Sequence, residues 1–208
     1  GNFIFRTREF EQMEIEYFIP LTDPDNDETW RKYFEKWQLA MMNWVHEVGI
    51  NSEQVVQVEV GEGDRAHYSK FSVDFEFQFP FGQRELYGIA YRTDFDLKNH
   101  EEFSGANLKY KSADKEEAPY FPHVIEPTWG VERTLLAVLL SAYSEEGERV
   151  VLKLKPAIAP YKAAVFPLLA NKPELVNYAK EIYDGLRKKF PVAWDDRGNI
   201  GKRYYSQD

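Results

Sequence analysis

Three strand-like segments follow one another in the first half of the chain, and this succession most constrains the fold. Residues 55–60, 71–79 and 85–92 are rich in β-branched and aromatic side chains. Pro80 and Gly82 provide a turn between the last two segments, and Gly88 allows another backbone to approach closely. Strands joined in succession by short turns are typical of an antiparallel sheet, which is the predicted centre of this region.

Helices and further strands flank that sheet in the sequence. Residues 28–48 carry apolar side chains at three- and four-residue spacing, which predicts an amphipathic helix with an aromatic stripe in the core, ended by Gly49. Residues 22–27 form a turn and cap cluster before it. The other predicted elements of this part are a strand at 3–18, a polar loop at 98–119, a strand at 123–126 and an apolar helix at 131–143.

The pattern changes after a charged, glycine-containing stretch at 144–149. Strands and helices then alternate, at 163–169 (strand), 173–190 (helix), 192–194 (strand) and from 198 onwards (helix). That order predicts a parallel α/β unit. We therefore expect an α+β chain with two domains, residues 1–147 and 148–208.

Composition narrows the environment and the partners. The 208 residues include no cysteine, which excludes disulfides and cysteine-based metal sites or nucleophiles and favours a reducing compartment, here predicted to be the cytoplasm. No apolar run approaches the roughly 20 residues of a membrane span, so no membrane partner is expected. The net charge is −9, with 29 acidic against 15 basic side chains in residues 1–150 and 6 against 11 afterwards. This balance disfavours a general nucleic-acid coat, and DNA is not an expected partner.

A cation, an aromatic ring and a carboxylate recur at four-residue intervals near the start of the chain, as Arg6, Phe10 and Glu14. Residues at even spacing share one face of a strand. Such a face could neutralise a phosphate, stack on a base and accept hydrogen bonds from an ammonium group, which predicts a site for a nucleotide and an amino acid. A solvated salt ladder among acidic neighbours is the alternative that spacing alone leaves open.

Two further segments carry polar residues where elements meet. Residues 126–133 place a carboxylate, a hydroxyl and a glycine before a helix whose first turn holds Arg133, an arrangement suited to an anion. Residues 85–96 contain Glu85, which could hold Mg²⁺ through nucleotide oxygens, and Arg92, which could pair with a carboxylate. For residues 126–133, a capped helix whose arginine covers its own surface is the alternative.

Taken together, these segments resemble the class II aminoacyl-tRNA synthetases, and more closely the dimeric glycyl-tRNA synthetases. Arg6-x-x-x-Phe10-x-x-x-Glu14 looks like the second strand of that class's motif 2, and Gly130-x-x-Arg133 before an apolar helix looks like motif 3. Stretches typical of the glycyl family lie at 5–14, 85–90, 92–97, 124–127, 152–160 and 198–204. The resemblance covers essentially the whole chain, in order.

The resemblance implies a class II antiparallel sheet with helices in residues 1–147 and the incomplete start of an α/β anticodon-binding domain in residues 148–208. It also implies catalytic roles for Arg6 and Arg133. The residues implied in ATP binding are Phe5, Arg6, Thr7, Arg8, Glu9, Phe10, Glu85, Leu86, Gly130, Val131, Glu132 and Arg133. Those implied in glycine binding are Phe10, Glu11, Gln12, Met13, Glu14, Arg92, Glu126, Pro127, Thr128, Trp129 and Gly130.

The implied activity is that of a glycine–tRNA ligase, with ATP, Mg²⁺, glycine and tRNA(Gly) as ligands and a homodimer as the assembly. The enzyme would form glycyl-adenylate and transfer its glycyl group to tRNA. Thr128 stands where the family usually has serine. Motif 1 and the first strand of motif 2, with its α-phosphate arginine, are not in the chain, which is therefore expected to be part of a longer protein and to have little activity alone. An inactive synthetase-like module that binds adenylate, tRNA or a protein partner is the alternative.

Overall fold

The computed structural model describes residues 1–20, 28–113 and 118–207. The chain forms two compact units, Gly1–Ala137 and Val138–Asp208. The turn and cap cluster predicted at 22–27 lies outside the described residues. No helix in the described part of the chain is long and apolar enough to cross a membrane.

The first unit is built on an antiparallel sheet, as predicted. Its described strands are β1 (Gln12–Glu14), β2 (Tyr17–Ile19), β3 (Val55–Glu59), β4 (Phe71–Phe79), β5 (Gly82–Thr93) and β6 (His123–Gly130). The order across the sheet is β1-β6-β5-β4-β3, and β2 also pairs with β6. The accompanying helices are α1 (Glu28–Glu47), α2 (Phe95–Ser104) and α3 (Val131–Ala142).

Alternation along the strands gives this sheet one apolar and one polar face. In β4, Phe75, Phe77 and Phe79 are buried, and their even-numbered neighbours point the other way. Helix α1 covers the apolar face, where Trp30 stacks on Tyr91 with ring centroids 4.3 Å apart. A ring pair of this kind adds about 0.5–1.5 kcal/mol beyond its buried area. The helix therefore fixes the apolar face and leaves the polar face of the sheet for other contacts.

The strand predicted at 3–18 is wrong for its first half. Residues 1–6 form a turn, in which Phe5 N–H donates to Asn2 O and Arg6 N–H to Gly1 O, both at 3.1 Å. The cause is the partner strand: β6 ends at Gly130, where α3 begins, so its ladder with β1 starts only at Gln12. Alternating polarity alone cannot form a strand, because its backbone groups need a neighbour to bond with.

The remaining strand is interrupted between β1 and β2 for a covalent reason. Ile15 N–H donates to Pro127 O at 3.1 Å, but a proline has no N–H to return the bond. The ladder therefore breaks at Ile15 and Glu16 and resumes at Tyr17 in the same register. Strand β6 itself runs through Pro127 to Gly130 and is longer than the predicted strand at 123–126.

The loop predicted at 98–119 is wrong at its start, where α2 forms instead. Asp94 and Lys98, four residues apart, make an ion pair of 2.7 Å that supports the first turn. Gly105 ends the helix with φ +70°, and its N–H donates to Glu101 O at 2.8 Å. Ordinary helix capping and i,i+4 pairing thus outweigh the polar composition that suggested a loop.

The second unit contains the hairpin of β7 (Tyr143–Glu146) and β8 (Arg149–Leu152), and then β9 (Ala163–Val165), α4 (Pro173–Leu186), β10 (Val192–Trp194) and α5 (Ile200–Tyr205). β9 and β10 pair in parallel, as predicted, although β9 and α4 are shorter than expected. The buried guanidinium of Arg203 donates to the backbone oxygens of Pro167, Asp196, Arg197 and Gly198 and ties the loops of this unit together. The assignment of this unit to an anticodon-binding domain stays a prediction.

Candidate functional site

The polar face of the first unit's sheet carries most of the side chains singled out from the sequence. Strand register places Asp74, Gly88 and Thr128 in one row across β4, β5 and β6. Glu126 lies two residues before Thr128 on β6, and Gly130 two residues after it, so all three share this face. Neighbours of this kind are about 6–7 Å apart along a strand. The face therefore has two ends, one around Gly130 and one around Glu126.

At the Gly130 end lies a cleft of about 320 Å³, formed by the N-terminal segment, β5, the end of β6 and the start of α3. The predicted ATP residues that line it are Phe5, Arg6, Thr7, Phe10, Glu85, Leu86, Gly130, Glu132 and Arg133. Gln12 and Thr128, predicted for glycine, line it as well. Among the described residues, the predicted ATP residues Arg8, Glu9 and Val131 lie outside this lining.

Arg133 organises the cleft. Its Nη1 donates to the backbone oxygen of Glu85 at 2.9 Å and to Glu85 Oε2 at 3.1 Å. Its guanidinium carbon lies 4.5 Å from the ring centroid of Phe5, which in turn meets Phe79 edge-on at 5.0 Å. Three predicted residues far apart in sequence are thus brought together. Since Arg133 is in the first turn of α3, its charge adds to the positive end of the helix dipole.

The predicted common strand face of Arg6, Phe10 and Glu14 is wrong, because only Glu14 lies in a strand. Arg6 and Phe10 nevertheless line the same cleft, Arg6 at the end of the turn of residues 1–6 and Phe10 shortly before β1. Phe10 is 64% exposed, so its ring is available for stacking. Glu14 accepts a hydrogen bond of 3.1 Å from Gln12 Nε2 and lies outside the cleft lining.

Glu11 and Glu132 have a structural contact that the sequence did not indicate. The backbone N–H of Glu11 donates to both carboxylate oxygens of Glu132, at 3.0 and 3.1 Å, and Val131 N–H donates to Glu11 O at 3.0 Å. These bonds fasten the start of β1 to the first turn of α3. They hold the N-terminal wall of the cleft against the helix that carries Arg133.

Met13, Pro127 and Trp129, all predicted for glycine, have side chains on the opposite face from Thr128. Neighbouring strand residues alternate, so a continuous run cannot line one pocket with every side chain. Met13 and Trp129 instead line an apolar groove with Trp37 and Trp44 of α1. These two tryptophans are only half-buried, whereas the rest of the helix's aromatic stripe is in the core.

At the Glu126 end, Arg92 is the hub. Its Nη1 donates to Glu126 Oε2 at 2.6 Å, and its Nε and Nη2 donate to the two oxygens of Asp96 at 2.7 and 2.9 Å. The guanidinium also lies 4.0 Å from the ring centroid of Tyr68. Burial by itself would lower the pKa of Arg92, but the hydrogen bonds to Asp96 and Glu126 raise it above its usual value. Arg92 is therefore bound to protein carboxylates, in contrast to the predicted pairing with a substrate carboxylate.

Two acidic residues of this face were missed as site residues. The pKa of Glu16 is raised to about 7, first by burial and then by the charge of Glu126. The pKa of Asp74 is raised to about 6, by burial and by Glu85 and Glu76. The alternation in residues 71–79 was a signal for Asp74, since it leaves every even-numbered side chain on the polar face.

Metal ligands are sparse. Among the described residues, no group of three or more His, Asp or Glu side chains is arranged to hold a metal ion. Glu85 offers one carboxylate to the cleft. Mg²⁺ commonly binds to one or two carboxylates together with substrate phosphates, so a single carboxylate fits an ion that arrives with a nucleotide.

Comparison with known proteins places these observations in a family context. No family model matches the chain. Along its whole length, however, it is 48% identical to a protein named glycine–tRNA ligase from Caldanaerobacter subterraneus subsp. tengcongensis. It is 45% and 44% identical to proteins of the same name from Alkaliphilus oremlandii and Staphylococcus haemolyticus. In each case the chain spans 44% of the relative's own length, so it corresponds to less than half of each of these curated relatives.

Proposed function

The chain belongs to the glycine–tRNA ligase family, and from this premise we propose that it forms the part of such an enzyme that activates glycine with ATP. The supporting observation is the division of the polar sheet face into two chemically opposite ends. One end holds the cleft with exposed Phe10 and two arginines, and the other holds carboxylates around Arg92. An anion and an ammonium group would each find the complementary charge.

ATP would occupy the cleft. Phe10 would stack on the base, a contact worth roughly 1–3 kcal/mol. Arg6 and Arg133 would neutralise phosphate oxygens, and Arg133 is already oriented by Glu85 and Phe5. Glu85 would accept Mg²⁺ carried by the phosphates, and the ion would supply further neutralisation of their charge.

Glycine would lie toward Glu126, with its carboxylate directed to the cleft. Glu14, predicted from the sequence to accept hydrogen bonds from the ammonium group, and Glu126, predicted for the glycine pocket, would be the acceptors for this group. Gly88 and Thr128 face each other across β5 and β6 between the two ends. The space for a substituent on the substrate's Cα would be set here, because an amino acid without a side chain is selected by excluding larger ones.

The reaction would join the two ligands at the middle of the face. A glycine carboxylate oxygen would attack the α-phosphorus, and the bond to pyrophosphate would break as glycyl-adenylate forms. The ribose hydroxyl of tRNA(Gly) would then take the glycyl group and release AMP. Neither step needs a nucleophilic side chain, so the protein's contribution is positioning and charge neutralisation. A homodimer and a tRNA contact by residues 148–208 belong to the same proposal.

Glycine-dependent ATP–pyrophosphate exchange tests the proposal, with the protein extended to the full length of its relatives. We expect exchange with glycine and a large loss in Arg133→Lys, because lysine cannot reproduce the planar fork. Arg84→Lys is the matched control, since Arg84 lies on β5 beside Glu85, outside the cleft lining. Exchange with another amino acid but not with glycine would overturn the specificity. Adenylate binding without any exchange would instead indicate a binding module.

A further inference from the structure

The carboxyl groups at the Glu126 end carry more negative charge, when ionised, than the one arginine among them can neutralise. Within the described residues, Glu126 and Asp96 bind the guanidinium of Arg92, and Glu16 interacts electrostatically with all three groups. Asp96 takes the Nε and Nη2 fork and Glu126 takes Nη1. If all three carboxyl groups were ionised, the cluster would carry a net charge of −2. Like charges this close oppose full ionisation, so a cation or a proton is favoured here.

Strand register brings Glu16 and Glu126 together. Glu14 is opposite Thr128 and Tyr17 is opposite Ile125, which places Glu16 opposite Glu126. Directly opposite side chains have Cβ atoms about 4.5–5.5 Å apart. At this separation two ionised carboxylates repel each other, and the charge of Glu126 contributes to raising the pKa of Glu16. A single proton held by the pair removes this repulsion.

We propose that Glu16 and Glu126 form a carboxyl pair that holds one shared proton in the free protein and binds the ammonium group of an amino acid substrate in place of that proton. The pair replaces one O–H donor by N–H donors that reach both carboxylates, and the proton goes to solvent. Glu16 is in this role a substrate-binding residue that was absent from the predicted set. The choice of an amino acid as ligand rests on the proposed function, but the shared proton does not.

The surroundings of Glu16 set the pH at which the ammonium group replaces the proton. The facing groups are Glu126 from β6, Arg92 from β5 and Asp96 from α2. Burial and the charge of Glu126 raise the pKa of Glu16 to about 7, against the opposing effect of Arg92. Below this pKa, each bound ammonium must displace a proton, so apparent affinity falls up to tenfold per pH unit. Above it, the pair is ionised already and affinity is flat.

The shared proton is tested on the 208-residue chain by carboxyl ¹³C NMR. We expect one glutamate carboxyl to titrate near pH 7 in the wild type and no such signal in Glu16→Gln. In Glu126→Gln, the like charge is gone, and the Glu16 signal should move toward ordinary glutamate values. Backbone amide spectra show whether each variant is folded. Titration of every glutamate below about pH 5 in the wild type would overturn the pair, whatever the enzyme does with glycine.

The binding of an amino acid's ammonium group by the pair is tested by measuring KM for glycine at several pH values. The assay is ATP–pyrophosphate exchange by the extended protein. In the wild type we expect KM to fall about fivefold from pH 6 to pH 7 and about tenfold in all by pH 8, where it levels off. Glu16→Gln should raise KM for glycine, leave KM for ATP unchanged and remove this pH dependence. Glu35→Gln on α1, which covers the other face of the sheet, is the control. An unchanged pH profile in Glu16→Gln would overturn the ammonium site. Absence of exchange at every pH would overturn the proposed function instead.

Discussion

The two ends of the polar sheet face differ in how their arginines are held. Arg133 at the cleft end pairs with one carboxylate and an aromatic ring, and both partners of its ion pair keep substantial exposure, 26% and 51%. Arg92 at the other end is enclosed by carboxylates, and its pair with Glu126 is only 15% and 12% exposed. The first arginine is available to a ligand, whereas the second is part of the framework that presents acidic groups. One sheet thus offers positive and negative binding ends on the same strands.

The largest expected effect is the loss of stability when the ion pairs of Arg92 at the Glu126 end are removed. Arg92→Ala leaves Glu126 and Asp96 without their cation, and loss of one partner of a buried pair costs about 3–5 kcal/mol. We expect the free energy of unfolding, measured in urea, to drop by roughly 3 kcal/mol. Arg84→Ala should change it by less than about 1 kcal/mol. Equal effects of the two substitutions would show that the ion pairs of Arg92 do not stabilise the fold.

Arg133→Ala should show the opposite profile. Because its ion pair is exposed, we expect a change in the free energy of unfolding of less than about 1 kcal/mol. Loss of a charge that stabilises the developing transition state should lower kcat for exchange about 10²–10³-fold. Chemical denaturation and exchange kinetics on the same preparation separate the two quantities. A stability loss as large as that of Arg92→Ala would remove the distinction between the ends.

Gly88→Ala tests the part of the polar sheet face that lies between its two ends. A Cβ on Gly88 would meet Asp74 Oδ1 and Glu85 Oε1 at 3.8 Å, ordinary contact distances, so the fold should accept it. Alanine in a strand should raise stability by about 0.5 kcal/mol. The methyl group would project onto the polar face where the two substrates are proposed to meet, and we expect KM for glycine to rise about tenfold, since one methyl in a pocket is worth about 1–3 kcal/mol. Unchanged kinetics would place the reacting groups elsewhere.

The smallest expected effect is the pH dependence of stability contributed by Glu16. Its folded pKa of about 7 lies above the usual value of 4.5, so its contribution is complete below pH 4.5 and is lost as pH rises through 7. Glu16→Gln should remove this component. Solvent screens a partly exposed group and reduces its effect. We therefore expect the difference in free energy of unfolding between wild type and variant to change by about 1 kcal/mol between pH 5 and pH 8. Urea unfolding at both pH values measures it, and a constant difference would mean an ordinary pKa.

Local patterns predicted the sheet well, because residues 71–79 alternate so regularly that both faces of β4 follow from the sequence. Family resemblance predicted that Phe5, Glu85 and Arg133 belong to one site, and the structure brings them into contact. Spacing failed for Arg6 and Phe10, because their strand would need a partner beyond the end of β6. It also could not show that Arg92 faces Glu126, since that contact depends on the pairing of β5 with β6. Glu16 became visible only through its position opposite Glu126.

The most direct test of the two-ended face is a comparison of KM for ATP and for glycine in Arg133→Lys and Glu126→Gln of the extended protein. We predict that Arg133→Lys raises KM for ATP and leaves KM for glycine nearly unchanged. Glu126→Gln should do the reverse, because it removes charge from the ammonium end alone. If both substitutions raised the same KM, the two ends would not bind separate ligands, and the proposed arrangement of ATP and glycine would be contradicted.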